Sequence, residues 1–394
     1  MKIVILSSWF SEKMGYIENC LPKSLAALGH DVHVVTSTAQ VYYKSPDYPK
    51  VYEPFLGKNI QEEGTKKIDG YTLHRIPFGD IDNKIYFKKI GKKLKEIKPD
   101  VVQVFEAFSF TTFQAAYYKL FYKYKLFTAN HTVASVFPLF QKGKGTLLHK
   151  IAFYLTRTIP GTIVSWGTSM CFPPTIDAQD IAEKYFGIPK RKMKMVPLGV
   201  DTDFFSPGTV SAEIRKKKRE ELGVKENEIL VIYTGRFTEG KDPFCLAKAI
   251  LHLVGQNQPF KALFMGNGPQ LEEIKKMKGC ITHKFVPYHE LPEWYAIADI
   301  GCWPKQESTS MIDAAACGLP IVISNRVQAV ERVEGNGLTY NEPNSEDLAN
   351  VLLKLKDAEL RNKLSAFGVS KIQNNFSWNK IARERVEDYA KFLK

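Results

Sequence analysis

Cysteine is sparse and scattered. Six residues, at 20, 171, 245, 280, 302 and 317, are spread over 394 positions, with no Cys-x-x-Cys pair and no neighbouring histidine cluster. That spacing argues against a disulfide framework and a zinc-type ligand set, so free buried thiols in a reducing cytoplasm are expected. No run of about 18 uncharged apolar residues occurs, so no segment is expected to span a bilayer. The opening MKIVILSSWF is too short an apolar run for a secretory signal and lacks a small-residue cleavage site. It reads as a buried first strand. That strand runs into SSWFSEKMG and not into Gly-x-Gly-x-x-Gly, which disfavours a dinucleotide-dependent dehydrogenase. An Asp-x-Asp pair is likewise missing where catalysis would use one. Asp201 and Asp203 in DTDFF fit the form but fall in a segment that reads as linker, so no metal is expected.

Acid is short in one half only. Residues 1–200 carry 28 Lys and Arg against 16 Asp and Glu, whereas residues 201–394 carry 27 against 26. Nearly all of the net charge of +13 therefore lies in the first half, which is expected to meet something anionic. A membrane surface, a phosphorylated substrate and a nucleic acid all qualify, and so does plain solubility. Nucleic acid is disfavoured, because no binding module is recognisable and no Arg-rich stripe accompanies the lysines.

The length implies two domains, and 44% hydrophobic with 25% charged residues is an ordinary globular balance. Apolar runs of strand length alternate with helical patterns throughout. In the first half these are KIVILSS, DVHVVTS, DVVQVF, GTIVSWG and KMKMVPLG, with helices read over Ile17 to Leu28 and Thr111 to about Lys119. In the second half EILVIYTGR, FKALFMGNG, HKFVPY, IGCWP and PIVIS play the same part. Near-continuous apolar strands separated by helices indicate α/β architecture, with parallel sheets covered on both faces. PLGVDTDFFSPGTV, Pro197 to Val210, reads as the boundary, and the charged helix after it as a solvated face. Two doubly wound domains facing across a cleft are expected, with ligands at the carboxyl ends of the strands.

Three loops carry the candidate chemistry. In YTGRFTEGKDP, Arg236 and Lys241 come after a strand, and a fork and a point charge five positions apart can grip a diphosphate. In MGNGP, Gly266, Asn267 and Gly268 suit a close backbone approach to a ligand ahead of a helix. In QESTSMIDAAACGLPIVIS, Ser308, Thr309 and Ser310 lie at a helix start, where free N–H groups receive phosphate oxygens. Ser310 and Asp313 also satisfy a loose capping box, whereas Glu307 and Asp313 can instead hold sugar or ribose hydroxyls.

Together, TGRFTEGKDP, MGNGP and QESTSMIDAAACGLPIVIS resemble the C-terminal domain of retaining, GT-B-type glycosyltransferases of family 4 (glycosyl transferases group 1). PLGVDTDFFSP resembles that family's interdomain segment, and GYIENCLPKSLAALGHDVHVVTS its first loop, helix and second strand. The resemblance implies two Rossmann-like domains. Residues 1–200 would bind the acceptor, with a C-terminal helix over about 376–394 packing back on them, and residues 201–375 would bind the nucleotide sugar. It further implies that Arg236 and Lys241 bind the donor diphosphate, that Gly15 brings the first loop close to it, and that Glu18 supports that loop. Asp313 would hold the ribose, Glu307 would face the donor sugar, and His131 in TANHT would lie near the sugar and the scissile bond. The family usually separates its two acids by seven residues, and here five separate Glu307 from Asp313. Either the loop is shorter with Glu307 in the sugar role, or Lys305 holds that role and Glu307 has moved. Leu198 also stands where the family commonly has Asn.

The implied activity is transfer of a sugar from a nucleotide-diphosphate sugar to a hydroxyl, with retention and with neither cofactor nor metal. A cytoplasmic protein, peripheral on the membrane, acting on an anionic or lipid-linked acceptor would suit the charge split. Phe87, Ile90, Leu94 and Ile97 stand at helical spacing among seven lysines between 84 and 98, and YYKLFYKYKLF, 117–127, interleaves aromatics with lysine. Such segments can settle on anionic headgroups, although the first also reads as a core-facing stripe with a solvated back. The rival readings are a nucleotide-sugar epimerase, which converts donor without acceptor, a phosphorylase, which carries pyridoxal on lysine, and a non-catalytic nucleotide-sugar-binding relative.

Overall fold

The computed structural model of the protein describes residues 1–82, 84–140, 145–327 and 329–393, with Ser135 through its backbone alone. The chain divides into two compact units, Met1–Leu198 together with the segment from Trp378 onward, and Gly199–Ser377. Residue 394, counted in the expected C-terminal helix, lies outside the described residues. Among the described residues no helix is long and apolar enough to cross a membrane, and all six cysteines are free thiols.

The first unit contains strands β1 (Lys2–Ser7), β2 (Asp31–Ser37), β3 (Gly64–Ile68) and β4 (Tyr71–Ile76), a hairpin of β5 (Phe78–Ile81) and β6 (Lys84–Phe87), and strands β7 (Val101–Val104), β8 (Lys125–Ala129) and β9 (Thr168–Phe172). Seven of them form one sheet in the order β3-β4-β2-β1-β7-β8-β9, parallel except for β3, which runs antiparallel to β4 at the edge. Alternation along β1 explains the two cores. Ile3 and Ile5 point to one face, with Leu21, Leu25 and Val34, while Val4 and Leu6 point to the other, with Val35, Leu94 and Val102. The helix Trp378–Leu393 closes the first of these faces through Trp378, Ile381, Ala382 and Tyr389. It is pinned by Gln103 of β7, whose Oε1 accepts from Tyr389 Oη at 3.1 Å and Arg385 Nη1 at 3.2 Å.

The second unit holds β10 (Ile229–Thr234), β11 (Phe260–Met265), β12 (Cys280–His283), β13 (Ile300–Trp303), β14 (Ile321–Ser324) and β15 (Gly337–Tyr340). These form one parallel sheet in the order β12-β11-β10-β13-β14-β15.

Several expected elements differ. GTIVSWG belongs to a helix, Ile159–Gly167, and not to a strand; it buries Gly161, Val164 and Ser165 while Ile163 and Trp166 stay exposed, so no polar face marks its period. KMKMVPLG forms no named strand; its main chain meets β9 at an isolated bridge between Met193 and Cys171. The β12 strand ends at His283, so most of HKFVPY is loop. The helix read across 84–98 is shorter, Ile90–Ile97, because Lys84–Phe87 pairs with Phe78–Ile81. Its Ile90, Leu94 and Ile97 are core, with Lys92, Lys95 and Lys98 on the exposed back, so the apolar stripe of this segment faces the protein interior.

The charged helix Ala212–Glu221 is more than a solvated face. Asp299 Oδ1 accepts from Arg215 Nη2 at 2.7 Å, and its Oδ2 accepts from Arg219 Nη1 at 3.0 Å and from the Leu230 N–H at 2.8 Å. One carboxylate thus ties the helix to the first residues of β10 and β13, and Arg219 is buried. Asp299→Ala leaves that guanidinium enclosed without its counter-charge, and is expected to cost about 3 kcal/mol of stability. A urea titration followed by circular dichroism measures this, and a midpoint unchanged from wild type would refute it.

Candidate functional site

In the second unit the strand order reverses between β10 and β13, and in such sheets the crevice at the carboxyl ends beside the reversal is where ligands sit. Two loops leave from there, 235–242 after β10 and 304–309 after β13. Lysines join them by donating to main-chain oxygens. Lys241 Nζ reaches the Glu307 carbonyl at 2.8 Å, and Lys305 Nζ reaches the Glu239 carbonyl at 3.1 Å. Asp242, in the left-handed region at φ 46°, caps the next helix by accepting from the Cys245 N–H, and Pro243 occupies the first helical turn. The Asp-Pro pair therefore ends the loop sharply and sets the direction from which Lys241 projects. Arg236 is exposed, and its carbonyl accepts from the Tyr233 hydroxyl at 2.9 Å.

This junction is strongly cationic. Arg332, buried in the short turn Val330–Arg332, donates from Nη1 to the Ser308 carbonyl at 3.0 Å. Burial pushes Lys241 down to about 8; the Glu307 carboxylate opposes this, and the positive charges of Arg236 and Arg332 add to it. An ammonium kept this close to two guanidinium groups gains by binding an anion.

Glu307 and Asp313 occupy different settings. Glu307 is half-buried in the loop, whereas Asp313, on the helix Ser310–Ala316, is 6% exposed. Burial holds the Asp313 carboxyl well above its ordinary range, Asp201 pushes it further up and Arg332 draws it back. The capping box of Ser310 with Asp313 does not form. Thr309 stands at the cap position in helical conformation without a side-chain cap, Ser310 is already inside the helix, and its N–H donates to Ser308 Oγ at 3.3 Å. Lys305 is engaged with Glu239, one loop away.

The glycines of MGNGP serve a backbone contact within the protein. Gly266 and Gly268 have φ of +151° and +152°, and a Cβ on Gly266 would lie 1.8 Å from the Gly235 carbonyl oxygen, one on Gly268 2.5 Å from that of Phe237. Between these approaches the Phe237 N–H donates to the Asn267 carbonyl at 2.9 Å. The loops after β10 and β11 are therefore interlocked main chain to main chain, which is what the Gly-Asn-Gly spacing permits.

In the first unit the order reverses between β1 and β7. Gly15 lies in the loop after β1, just before Tyr16, the N-cap of the helix Ile17–Ala27. Burial, with the Glu106 carboxyl nearby, pushes Glu18 of that helix up to about 7. Burial also raises Glu106, which accepts from Ser109 Oγ at 3.1 Å. His131 lies just beyond β8; burial, helped by Arg385, pushes it down to about 4, and the Phe105 ring meets it edge-on. Among the described residues its enclosed Nε2 has no hydrogen-bond partner. A neutral imidazole with an idle nitrogen is suited to hydrogen-bonding a ligand hydroxyl.

The structure thus gathers Arg236, Lys241, Lys305, Glu307 and Ser308 about one pair of loops, and encloses Asp313 beside them. Two participants were not read from the sequence. Arg332 stands in a stretch without periodicity, and nothing local marks it. Glu106 had a signal, an acid immediately after the apolar run DVVQVF, which the sequence reading did not use.

Residues 214–370 match the family Glycosyl transferases group 1, and residues 21–204 match Glycosyltransferase Family 4. The chain is 20% identical to the alpha-monoglucosyldiacylglycerol synthase of Acholeplasma laidlawii, over 85% of this chain and 82% of that protein. It is 27% identical to a D-inositol 3-phosphate glycosyltransferase of Xylanimonas cellulosilytica, over 55% of each. In fold it is similar to Anabaena Alr3699/HepE in complex with UDP, with a TM-score of 0.72 over the whole of both chains at 16% identity.

Since Lys241 is an ammonium only below about pH 8, anion affinity should fall as pH rises through that value. Calorimetric titration with UDP is expected to show about tenfold weaker binding at pH 9 than at pH 7, with proton uptake near pH 8. Lys241→Ala should bind weakly with no such slope. A slope retained in the variant would show that another group carries the effect.

Proposed function

The chain belongs to the family-4-type GT-B glycosyltransferases, and from that membership we propose that it transfers a sugar from a nucleotide-diphosphate sugar to a hydroxyl of a lipid-linked or glycan acceptor. The reaction retains anomeric configuration and needs no metal. The observation that carries this reading is the Lys241 ammonium, held on the Glu307 carbonyl with the positive charges of Arg236 and Arg332 close by. Those cations would take the charge that develops on the leaving diphosphate, the part a divalent ion plays in other transferases. In the transfer the bond from the anomeric carbon to the phosphate oxygen breaks as that from the acceptor oxygen forms. The hydroxyl proton passes to an oxygen of the departing phosphate, so no protein base is required.

Within this reading Arg236, Lys241, Ser308, Thr309 and Ser310 bind the diphosphate, and Glu307 faces the sugar. The turn at Gly266, Asn267 and Gly268 receives the nucleoside, and Asp313, biased by burial toward its neutral form, meets the ribose. In the first unit Gly15 keeps its loop slim, and the idle nitrogen of neutral His131 serves a sugar hydroxyl. UDP and UDP-glucose are bound by one solved protein of similar fold, Anabaena Alr3699/HepE, and one relative is an alpha-monoglucosyldiacylglycerol synthase; these favour a nucleotide-sugar donor and a lipid-linked acceptor. A cytoplasmic protein peripheral to the membrane completes the proposal.

The test incubates the enzyme with UDP, GDP and ADP sugars and with diacylglycerol or phosphoinositide acceptors, reading the product anomer by NMR. Transfer with retained configuration, undiminished by EDTA and lowered about 100-fold or more in Lys241→Ala, is the expected result. Inverted product or abolition by EDTA would refute the corresponding part. Donor conversion without acceptor would reveal an epimerase, and binding without turnover a non-catalytic relative.

A further inference from the structure

The least conventional surface of the first unit is a helical run that exposes its apolar side chains. It comprises Leu147–Phe153, a π-helical turn Tyr154–Thr158 and Ile159–Gly167. On its inner side Phe153 packs against Phe137, Tyr185 and Phe186, and Gly161 lies against the Phe186 backbone. A surface helix ordinarily turns polar side chains outward. Here Leu148, Ile151, Leu155, Ile159, Ile163 and Trp166, spaced by three or four residues, form one outward stripe, with Leu148 79% and Trp166 74% exposed. The stripe continues onto the neighbouring helix Phe110–Tyr118 and the turn after it, where Leu120 is 79% and Phe121 64% exposed. Lys119 joins the two, donating from Nζ to the Gly167 carbonyl at 2.5 Å.

Charge identifies the occupant. From residue 107 to residue 176 the sequence contains seven Lys or Arg and not one Asp or Glu. Lys192 reinforces the carboxyl end of the run, where its Nζ donates to the carbonyls of Ser165 at 2.7 Å and Thr168 at 2.9 Å. Beside Ile151 and Leu155 lies a groove of about 350 Å³, floored by Phe153 and Tyr185 with Lys150 and Lys184 on its rim. Apolar contact area this extensive marks an interaction surface. A symmetric contact with a second copy would set the exposed Lys150 against its own copy with no acid in the run to offset it. A bilayer bearing anionic headgroups offers apolar depth and negative charge together, and tryptophan beside lysine suits its interface.

We propose that this stripe, Leu148 to Trp166 with Leu120 and Phe121, is the face by which the protein docks on an anionic membrane surface, its lysines meeting headgroup phosphates. The site deepens the lipid-acceptor reading given above, and moves the contact away from the lysine-rich helix Ile90–Ile97 to a place 50 residues later in the chain.

The experiment sediments the full-length protein with sucrose-loaded vesicles of phosphatidylcholine, with or without phosphatidylglycerol, at low and high salt. The protein is expected to bind the phosphatidylglycerol vesicles at low salt and leave them at high salt. Leu148→Ser with Leu155→Ser, both exposed and so tolerable to the fold, should lower the partition coefficient tenfold or more. Ile214→Ser, an exposed apolar residue of the second unit, should leave it unchanged. Quenching of tryptophan fluorescence by brominated lipid should be lost in Trp166→Phe. No binding by wild type at low salt, or equal binding by the double variant, overturns the proposal. So does a wild-type dimer in light scattering that the double variant dissolves. The readout is independent of turnover: an inactive protein that binds vesicles refutes the transferase reading alone, and an active one that does not bind refutes only the docking face.

Discussion

The hydrogen bond from the Lys241 ammonium to the Glu307 carbonyl is the constraint on which the second unit's site depends. It spans two loops that leave adjacent parallel strands at the point where the sheet changes direction. A main-chain oxygen can hold a lysine in place without neutralising it, so the positive charge remains available. Main-chain anchoring by Lys305 and Arg332 repeats the device on either side. The result is a preorganised cationic floor whose side chains are positioned by backbone, which spares them the reorganisation a flexible surface cluster would need when an anion arrives.

The first unit solves a different problem. The first turn of its helix Ile17–Ala27 and its strand ends carry the half-buried acids Glu18 and Glu106 and a histidine that burial keeps neutral. Low polarity disfavours charge on all three, so they are suited to exchanging hydrogen bonds with neutral hydroxyls more than to attracting ions. The two units thus differ in kind: one gathers positive charge, and the other gathers polar groups from which charge has been suppressed.

Much of the architecture was legible because parallel strands covered on both faces are written as continuous apolar runs. KIVILS, ILVIYT and IVIS are such runs and became β1, β10 and β14. The same rule failed at GTIVSWG for a physical reason. A helix apolar on both its buried and its exposed side has no polar period to distinguish it from a strand. HKFVPY and KMKMVPLG are apolar enough for strands but form little or no ladder. Among site residues, the Arg236 and Lys241 loop could be read because its chemistry is local in sequence. Arg332 could not, since it reaches the Ser308 carbonyl from 24 residues away. For Asp313 the residue was visible but its setting was not, because its burial depends on the packing of a whole helix and its charge environment on Arg332 and Asp201, both remote in sequence.

The helix Trp378–Leu393 fills the core of a unit whose other residues all precede position 199. On the ribosome that core stays open, with Leu21, Phe127 and Phe172 uncovered on one face, while every residue of the second unit is being made. The contiguous second unit can close first, and the unit translated earliest is the last to be finished. Nascent chains therefore carry an unsealed apolar groove while the whole second unit is made, which gives holding chaperones a defined time and place to act.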